Sequence, residues 1–418
     1  MNSFEAGRRG DAIRSDCWVS FTPAKSGGVT LESKSKVESM YGEAIRSDAL
    51  STLTALGVGH GRLEIEDQGA LPFVLQARIE AAVRRAQAAE AVRPGPQVCL
   101  PAVQPSARVT ARRERFRRSR LYLPGNEPKF MLSAGLHRPD AVILDLEDSV
   151  AAGEKDAARI LVRNALRVLD FGTAERMVRI NPGSVGLLDL DAVVPQNVHL
   201  ILIPKCESGD EVRAVADRVR EIQRDLLAGD DACVFPEGAL QPGEVFLMPI
   251  VETALGIERA YEIASAAPEV VGLTIGLEDY TADLGTQRTN DGRESFFARA
   301  AVVNAARAAG VSPIDSVFSD VADMDALLAS VLEAKSLGFE GKGCIHPRQI
   351  EVIHRGFAPS SDELAKARRI VEAFDLATAR GDGVVSLGSK MIDAPVVKRA
   401  QRTVRLFDLL TRSGAPEE

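Results

Sequence analysis

From residue 118 onward, continuous apolar runs alternate with stretches in which apolar residues recur at the spacing of an amphipathic helix. Continuous apolar runs are typical of parallel strands that are buried on both faces, and the stretches between them suit crossover helices. The runs are RLYLPG (120–125), DAVILDLED (140–148), RMVRINPG (176–183), HLILIPKCE (199–207), VFLMPIVET (245–253), VGLTIGLED (271–279), IDSVF (314–318) and GKGCIHP (341–347). Eight such units over roughly 250 residues predict an α/β protein with a (β/α)8 TIM barrel; an open doubly wound sheet is the alternative that counting leaves open.

Residues 1–89 show a different pattern, in which short strand-like runs stand beside two longer helical patterns. We expect these residues to form a small α+β module. The strand-like runs are Cys17–Thr22, Gly28–Glu32 and Arg62–Asp67, and the helical patterns are Lys36–Leu56 and Leu71–Ala89.

Between this module and the barrel domain, 118–418 with its C-terminal extension, the chain has neither a helical nor a strand period. Residues 90–117 combine scattered prolines with a run of arginines and predict a linker. Fully extended, the linker would span somewhat under about 100 Å. A group carried by the module could therefore reach its own barrel or that of a neighbour.

Composition narrows the class of protein and of partner. The 418 residues carry a net charge of −8 with acids and bases interspersed, which argues against nucleic-acid or anionic-membrane binding. The five cysteines lie far apart without CxxC spacing, so neither a zinc site nor a disulfide framework is indicated. The N-terminus lacks the apolar core of a signal peptide, and no stretch approaches the roughly 18 apolar residues of a membrane span. We expect a cytoplasmic protein.

The residues that close the predicted strands are unusually polar. They are Asp145, Glu147 and Asp148 after the second strand, Arg179 and Asn181 in the third, Lys205 and Glu207 in the fourth, Glu252 in the fifth, Glu278 and Asp279 in the sixth and His346 in the eighth. In a TIM barrel the active site lies at the C-terminal ends of the strands. Any one of these residues could be a solvated strand end or a helix cap. Their convergence, however, favours a bound cation or a charged substrate.

Glu252 and Asp279 lie on neighbouring predicted strands and are the natural pair of metal ligands. Mg²⁺ prefers oxygen ligands and usually takes only one or two protein carboxylates. Glu278 should point away from its neighbour Asp279 by strand alternation.

Arg179 stands within an apolar strand, where a cation needs a partner. Its planar guanidinium matches a carboxylate bidentately, which favours substrate recognition, and the alternative is a buried ion pair with Asp145 or Glu147. His346 precedes a proline, so it either organises a turn or takes part in catalysis.

The barrel segments also resemble a known family. RSRLYLPGN, DAVILDLEDSVAAGEKDAAR, VRIN, LIPKCES, PIVETALG, IGLEDYTADLG, GKGCIHPRQI and SKMIDAP occur in the order found in the citrate lyase beta subunit and its relatives, the malyl-, citramalyl- and citryl-thioester lyases of the HpcH/HpaI aldolase superfamily. The resemblance implies that Glu252 and Asp279 bind Mg²⁺ and that Arg179 binds a substrate carboxylate. We expect Asp145, Glu147 and Lys205 to line the substrate site.

The resemblance also gives a role to Asp393 in the MIDAP segment. From the residues alone, Asp393 would be an exposed acid in a turn. In the family, this acid reaches into the active site of a neighbouring subunit, so the resemblance implies a catalytic Asp393 and a homotrimer or hexamer.

The N-terminal module resembles a second citrate lyase component, the small gamma subunit, which is an acyl carrier protein. That subunit carries a phosphoribosyl-dephospho-CoA arm on the serine of a Ser-Gly-Asp pattern, whereas this chain reads Arg14-Ser15-Asp16. Ser15 is the candidate attachment residue, and an unmodified or vestigial carrier is the alternative. A separate acyl-transferase (alpha) subunit is a candidate partner.

Together these features predict a Mg²⁺-dependent lyase that cleaves a citryl (3-hydroxy-3-carboxyacyl) thioester to an acetyl thioester and oxaloacetate. The first alternative is a lyase for free malyl-CoA or citramalyl-CoA, with the N-terminal module serving only for docking. The second is a regulatory or scaffolding subunit that has lost catalysis.

Overall fold

The computed structural model describes residues 2–90, 99–228, 243–379, 385–387 and 390–412. The chain divides into two units, Met1–Ile353 and His354–Glu418. The first unit contains the N-terminal module and the barrel. Within the described ranges, no helix has the length and apolar character needed to cross a membrane.

The N-terminal module is a four-stranded sheet in the order β1-β2-β4-β3 with two helices. Its elements are β1 (Phe4–Gly7), β2 (Cys17–Pro23), β3 (Val29–Ser35), α1 (Glu38–Ala55), β4 (Gly61–Asp67) and α2 (Pro72–Ala89). Every predicted strand and helix of the module is present. The sequence did not predict β1, because only one of its four residues, Ala6, is buried and the strand therefore shows no apolar run.

The second part of the first unit is a closed barrel of eight parallel strands, so the predicted TIM barrel is confirmed. The first barrel strand, β5, pairs with the last, β12, which closes the sheet and excludes the open alternative. The strands are β5 (Ser119–Pro124), β6 (Ala141–Asp145), β7 (Glu175–Arg179), β8 (Leu200–Ile203), β9 (Phe246–Val251), β10 (Gly272–Ile275), β11 (Ser312–Asp315) and β12 (Gly341–Cys344).

Helices connect the strands on the outside of the barrel. They are α3 (Pro128–Met131), α4 (Lys155–Val168), α5 (Gly183–Val193), α6 (Gly209–Ala228), α7 (Ala254–Glu258), α8 (Ala260–Ala264), α9 (Leu277–Asp283), α10 (Phe296–Ala309), α11 (Met324–Leu337) and α12 (Gln349–Phe357). Inside, Ile143, Met177, Leu202, Met248 and Ile314 form part of one buried cluster. Burying side chains of this size stabilises the fold by about 1.5–3 kcal/mol each.

The strands are shorter than the apolar runs that predicted them. The run 271–279 ends as a strand at Ile275, and Glu278 and Asp279 lie in the first turn of α9. Strand alternation was therefore the wrong argument for their directions, because residues one apart on a helix differ by about 100°. Asp145 and Arg179 are the last residues of β6 and β7, and the other polar residues that close the runs belong to the loops and helix starts at the C-terminal end of the barrel.

Part of the predicted linker packs against the barrel. Arg117 is buried and donates to both carboxylate oxygens of Glu175 over 2.7 and 2.8 Å, at the start of β7. Arg176 donates to the carbonyl oxygens of Ala107 and Ser106 over 3.2 and 3.1 Å. Residues 99–117 thus lie across the N-terminal end of the barrel. Residues 91–98 of the same segment lie outside the described residues.

The second unit consists of two helices and a hairpin. Its elements are α13 (Ser361–Thr378), β13 (Val385–Leu387), β14 (Lys390–Ile392) and α14 (Ala394–Arg412). Ser360 and Glu363 form a capping box that begins α13. Ile370, Ile392 and Val397 belong to a separate small core.

Candidate active site

Glu252 directly follows β9, and Thr253 after it caps α7 by accepting a hydrogen bond from the backbone N–H of Gly256 over 3.1 Å. The carboxylate is buried, and its Oε1 accepts a hydrogen bond from the backbone N–H of Lys205 over 2.7 Å. Burial and the nearby charge of Asp279 raise the pKa of Glu252 to about 7. The buried carboxyl group of Glu252 is therefore poorly solvated by water.

Gly276 gives the Glu252 carboxylate its space. A Cβ atom at residue 276 would lie 2.3 Å from Oε2 of Glu252. This separation is well inside van der Waals contact, so a residue with a side chain would displace the carboxylate. Gly276 lies between the end of β10 and the start of α9, the helix that carries Asp279. Its lack of a side chain leaves the space that Glu252 occupies.

Asp279 lies in the first turn of α9, after the strand that pairs with β9. Its negative charge raises the pKa of both Glu252 and Lys205, which places it beside them. In the described part of the chain, its carboxylate has neither a hydrogen bond nor an ion pair. Glu278 is exposed and pairs with Arg288 over 2.6 Å, so the two adjacent acids do have different surroundings, as the sequence predicted.

Arg179 ends β7, and its guanidinium is held by acids of this chain. Nε and Nη2 donate to the two oxygens of Asp145 over 2.6 and 2.7 Å, and Nη1 lies 3.0 Å from Oε2 of Glu147. Burial would lower the pKa of Arg179, but the hydrogen bonds to Asp145 raise it above its usual value. The ion pair considered as the alternative is thus present, and it involves both Asp145 and Glu147.

Asp145 orients Arg179. Besides the two bonds from the guanidinium, its oxygens accept hydrogen bonds from the backbone N–H groups of Glu147 and Ser149 over 3.0 and 3.2 Å. Burial would raise the pKa of Asp145, but the bonds from Arg179 hold it below its usual value. With both oxygens engaged, Asp145 holds the guanidinium of Arg179 in place, and its contact with substrate stays a prediction.

Lys205 connects the acidic groups at the C-terminal end of the barrel, which we call the mouth. Its ammonium donates to Oε1 of Glu147 over 2.8 Å and to Oδ1 of Asp148 over 3.3 Å. Its backbone has a φ of 52°, a left-handed conformation that only a few per cent of non-glycine residues adopt. This conformation places the backbone N–H on Glu252 while the side chain reaches Glu147.

The donor set fits a magnesium ion. The described residues contain no cluster of three or more His, Cys, Asp or Glu side chains arranged around one point. Mg²⁺ needs only one or two protein carboxylates and completes its octahedron with water and substrate. Asp279 and Glu252 offer two such carboxylates: among the described residues, the oxygens of Asp279 and Oε2 of Glu252 have no hydrogen-bond partner.

Asp393 lies in the second unit, immediately before α14. Its side chain accepts a hydrogen bond from the backbone N–H of Val396 over 3.2 Å, and its carbonyl accepts one from Val397 over 3.1 Å. The side chain is exposed. Asp393 therefore caps the N-terminus of α14, and its carboxylate remains exposed to solvent.

Ser15 occupies a left-handed position with a φ of 58°. Its backbone N–H donates to the carbonyl of Gln68 over 3.1 Å. Left-handed backbone favours glycine, and glycine is the middle residue of the Ser-Gly-Asp pattern. Ser15 thus takes the place of that glycine, and Arg14 stands where the pattern has its serine.

One residue of the mouth escaped the sequence analysis. Tyr122 of β5 is partly buried against the core cluster of the barrel, and the Arg179 guanidinium lies 5.3 Å from the centre of its ring. Burial raises the pKa of Tyr122, so its hydroxyl stays protonated. The only signal in the sequence was a polar hydroxyl within the apolar run RLYLPG.

Comparison with known families agrees with this geometry. Residues 118–347, more than half of the chain, match the family described as HpcH/HpaI aldolase/citrate lyase. The chain belongs to this family. The predicted enzyme class, a lyase, is thereby confirmed. Residues 9–86 match the family described as malonate decarboxylase delta subunit (MdcD), labelled ACP, which confirms the carrier-like character of the module.

Individual relatives cover most of the chain. The citrate lyase subunit beta of Haemophilus influenzae is 38% identical over 306 residues, which are 73% of this chain and 100% of the relative. The mitochondrial citramalyl-CoA lyase of Mus musculus is 33% identical over 69% of this chain and 86% of the relative. Among solved structures, protein CitE from Mycobacterium tuberculosis in complex with magnesium, acetoacetate and coenzyme A has a TM-score of 0.55 at 31% identity, and the match covers 72% of this chain and 99% of that protein.

Proposed function

We propose that this protein is a Mg²⁺-dependent lyase that cleaves a citryl thioester to an acetyl thioester and oxaloacetate. The observation that carries the proposal is a pair of carboxylates beside the guanidinium of Arg179: Asp279 has no hydrogen-bond or ion-pair partner among the described residues, and Glu252 uses only Oε1, which leaves its Oε2 available. The Mycobacterium tuberculosis relative holds magnesium, acetoacetate and coenzyme A, ligands of the same chemical kinds.

Arg179 and Lys205 bind the substrate carboxylates in this mechanism. Nη1 of Arg179 and the ammonium of Lys205 share Glu147 as a partner in the free protein. An incoming carboxylate takes the place of Glu147 at Nη1, while Asp145 keeps the rest of the guanidinium in position. The substrate therefore exchanges with an internal acid, so the two cations are never left without a counter-charge.

The residues around Glu252 then favour carbon–carbon cleavage. When bound by Glu252 and Asp279, magnesium would serve as a Lewis acid for the 3-hydroxyl and its neighbouring carboxylate. The hydroxyl gives its proton to solvent water, its oxygen becomes the keto group of oxaloacetate, and the bond to the carbon next to the thioester breaks. The electron pair of that bond forms an acetyl-thioester enolate.

Protonation of the enolate carbon completes the reaction. Asp393 is the proposed acid, and its exposed carboxylate at the start of α14 is open to a partner. By resemblance to the family, we propose that Asp393 is supplied by a neighbouring copy within a homotrimer or hexamer. Analytical ultracentrifugation tests the assembly, because a stable monomer with full activity would remove this role.

The experiment is the release of oxaloacetate from citryl-CoA, followed by NADH oxidation with malate dehydrogenase. The wild-type protein should release oxaloacetate with Mg²⁺ and stop when EDTA is added. Glu252→Ala should abolish release. Glu278→Ala is the matched control, because Glu278 is an exposed acid next to Asp279 whose carboxylate pairs with Arg288. Full turnover by Glu252→Ala would overturn the proposed site.

A second candidate is a lyase for free citramalyl-CoA or malyl-CoA, with the N-terminal module serving for docking only. The left-handed backbone of Ser15 favours it, because this serine takes the place of the glycine of the carrier pattern. Intact-mass spectrometry of protein from its native host discriminates the two. A phosphoribosyl-dephospho-CoA adduct on Ser15, or a co-purifying acyl-transferase subunit, supports the first candidate, and unmodified protein active on free CoA thioesters supports the second.

A further inference from the structure

Helix α2 of the N-terminal module is buried around its whole circumference. The seven consecutive residues from Ala77 to Val83 are all buried. Because an α-helix has about 3.6 residues per turn, seven consecutive residues point in every direction. The module's own sheet lies on one side of α2, and α4 of the barrel packs on another. The module is therefore docked through a helix that has no solvent-facing side in this stretch.

A buried ion pair crosses this contact. Arg163 of α4 donates to both carboxylate oxygens of Glu80 over 3.0 and 2.7 Å, and Arg84 adds a bond of 2.7 Å. Burial would raise the pKa of Glu80, but Arg163 holds it below its usual value. Asn164 also donates its side-chain N–H to the carbonyl of Phe73 over 3.1 Å. A carrier that undocked in every cycle would have to break all of these bonds and wet the apolar sides of α2.

The docked module also contacts the mouth of the barrel. Arg78, buried in α2, donates to both oxygens of Asp16 over 2.9 Å each and to the carbonyl of Asn126 over 2.9 Å. Arg8 forms an ion pair with Glu127. Residues 126 and 127 follow the C-terminal end of β5, the end at which a TIM barrel places its active site.

We propose that the N-terminal module is a permanently docked part of the rim of its own barrel and that Arg78 is a positioning residue for the mouth loop, residues 125–127. The loop leaves β5 two residues after Leu123, and β5 also carries Tyr122, which contacts Arg179. The acyl-thioester substrate then enters the mouth of the barrel beside a module of the same chain that stays docked. The docking part of the proposal is independent of the reaction, and the positioning part rests on the proposed function.

The first experiment tests the docking without substrate. A protease site inserted between Pro94 and Gly95 allows the full chain to be cut after folding. The two pieces should co-elute on gel filtration in 0.15 M and in 1 M NaCl, because the contact is apolar as well as ionic. Separation of the pieces would show a tethered, mobile module and would overturn the proposal, whatever reaction the barrel catalyses.

The second experiment tests Arg78 by kinetics. Arg78→Met should lower kcat/KM for the acyl-CoA by about tenfold, mainly through KM, because the mouth loop shifts while the metal ligands stay in place. Arg62→Met is the matched control, since the ion pairs of Arg62 with Glu32 and Glu64 lie within the module. If Arg78→Met does not fold, Glu127→Gln removes the contact with Arg8 from the barrel side and should change KM in the same direction. Unchanged KM in a folded variant would overturn the positioning role, and an inactive wild-type protein would instead contradict the proposed function.

Discussion

Lys205 donates its backbone N–H to Oε1 of Glu252 over 2.7 Å, while its side chain bonds to Glu147 over 2.8 Å. One residue thus fixes a proposed metal ligand through its backbone and an acid beside Arg179 through its ammonium. The left-handed φ of 52° is what permits both contacts. Because the two functions use different atoms, mutation can separate them.

Lys205→Met should lower kcat/KM for the acyl thioester by about 10–100-fold, the value of a charge-assisted hydrogen bond of about 1.5–3 kcal/mol. The affinity for Mg²⁺, measured by isothermal titration calorimetry, should change less than about twofold, because the backbone bond to Glu252 remains. A loss of Mg²⁺ affinity as large as in Glu252→Ala would contradict this separation.

The affinity for Mg²⁺ should depend on pH through Glu252. Its pKa is raised to about 7 by burial and by Asp279, so below this pH the metal-free carboxyl is mostly protonated and a proton competes with the ion. We expect the apparent dissociation constant to rise about tenfold for each pH unit below 7 and to level off above it. Calorimetric titrations between pH 5.5 and about 8.5 measure this. A constant affinity across that range would show that Glu252 is ionised throughout.

Gly276→Ala should remove metal binding without unfolding the barrel. The added Cβ would lie 2.3 Å from Oε2 of Glu252 and would push the carboxylate away from Asp279. Gly276 has no left-handed φ, so alanine can adopt the backbone conformation there. Circular dichroism should show a folded protein, and Mg²⁺-dependent turnover should be lost. Wild-type turnover would mean that the carboxylate is free to move.

Glu175→Gln should destabilise the protein by about 3–5 kcal/mol, because it leaves Arg117 buried beside a neutral partner. The pair is almost fully buried, with side-chain exposures of 3% and 0%. Arg293→Ala is the control, since Arg293 and Asp291 form an exposed pair that contributes about 0–1 kcal/mol. Denaturant unfolding compares the two variants. Equal stability would show that residues 99–117 do not hold the barrel.

The barrel and the polar ring at its mouth could be predicted because their signals are local. Each strand is an apolar run, and Glu252, Asp279 and Arg179 each follow or end such a run. The contacts of those side chains could be predicted only as alternatives, because the partners come from other strands. Arg179 binds Asp145, which lies 34 residues earlier in the chain, and the sequence offered this ion pair only as the alternative to substrate recognition.

The docking of the N-terminal module was missed for the same reason. Glu80 and Arg163 are 83 residues apart, and each reads in the sequence as an ordinary charge on a helix. The start of α9 at Leu277 was missed because the run LTIGLED is apolar up to its acids, and Gly276 alone marks the boundary.

The burial of α2 from Ala77 to Val83 has a consequence for truncation. Its partner α4 is also buried at every residue from Ile160 to Arg167. A chain produced without its first ninety or so residues would expose the apolar side of α4 to water and would leave Arg163 without the carboxylate of Glu80. Such a fragment should precipitate or self-associate, so shortening this polypeptide to its catalytic half is a solubility problem before it is an enzymological one.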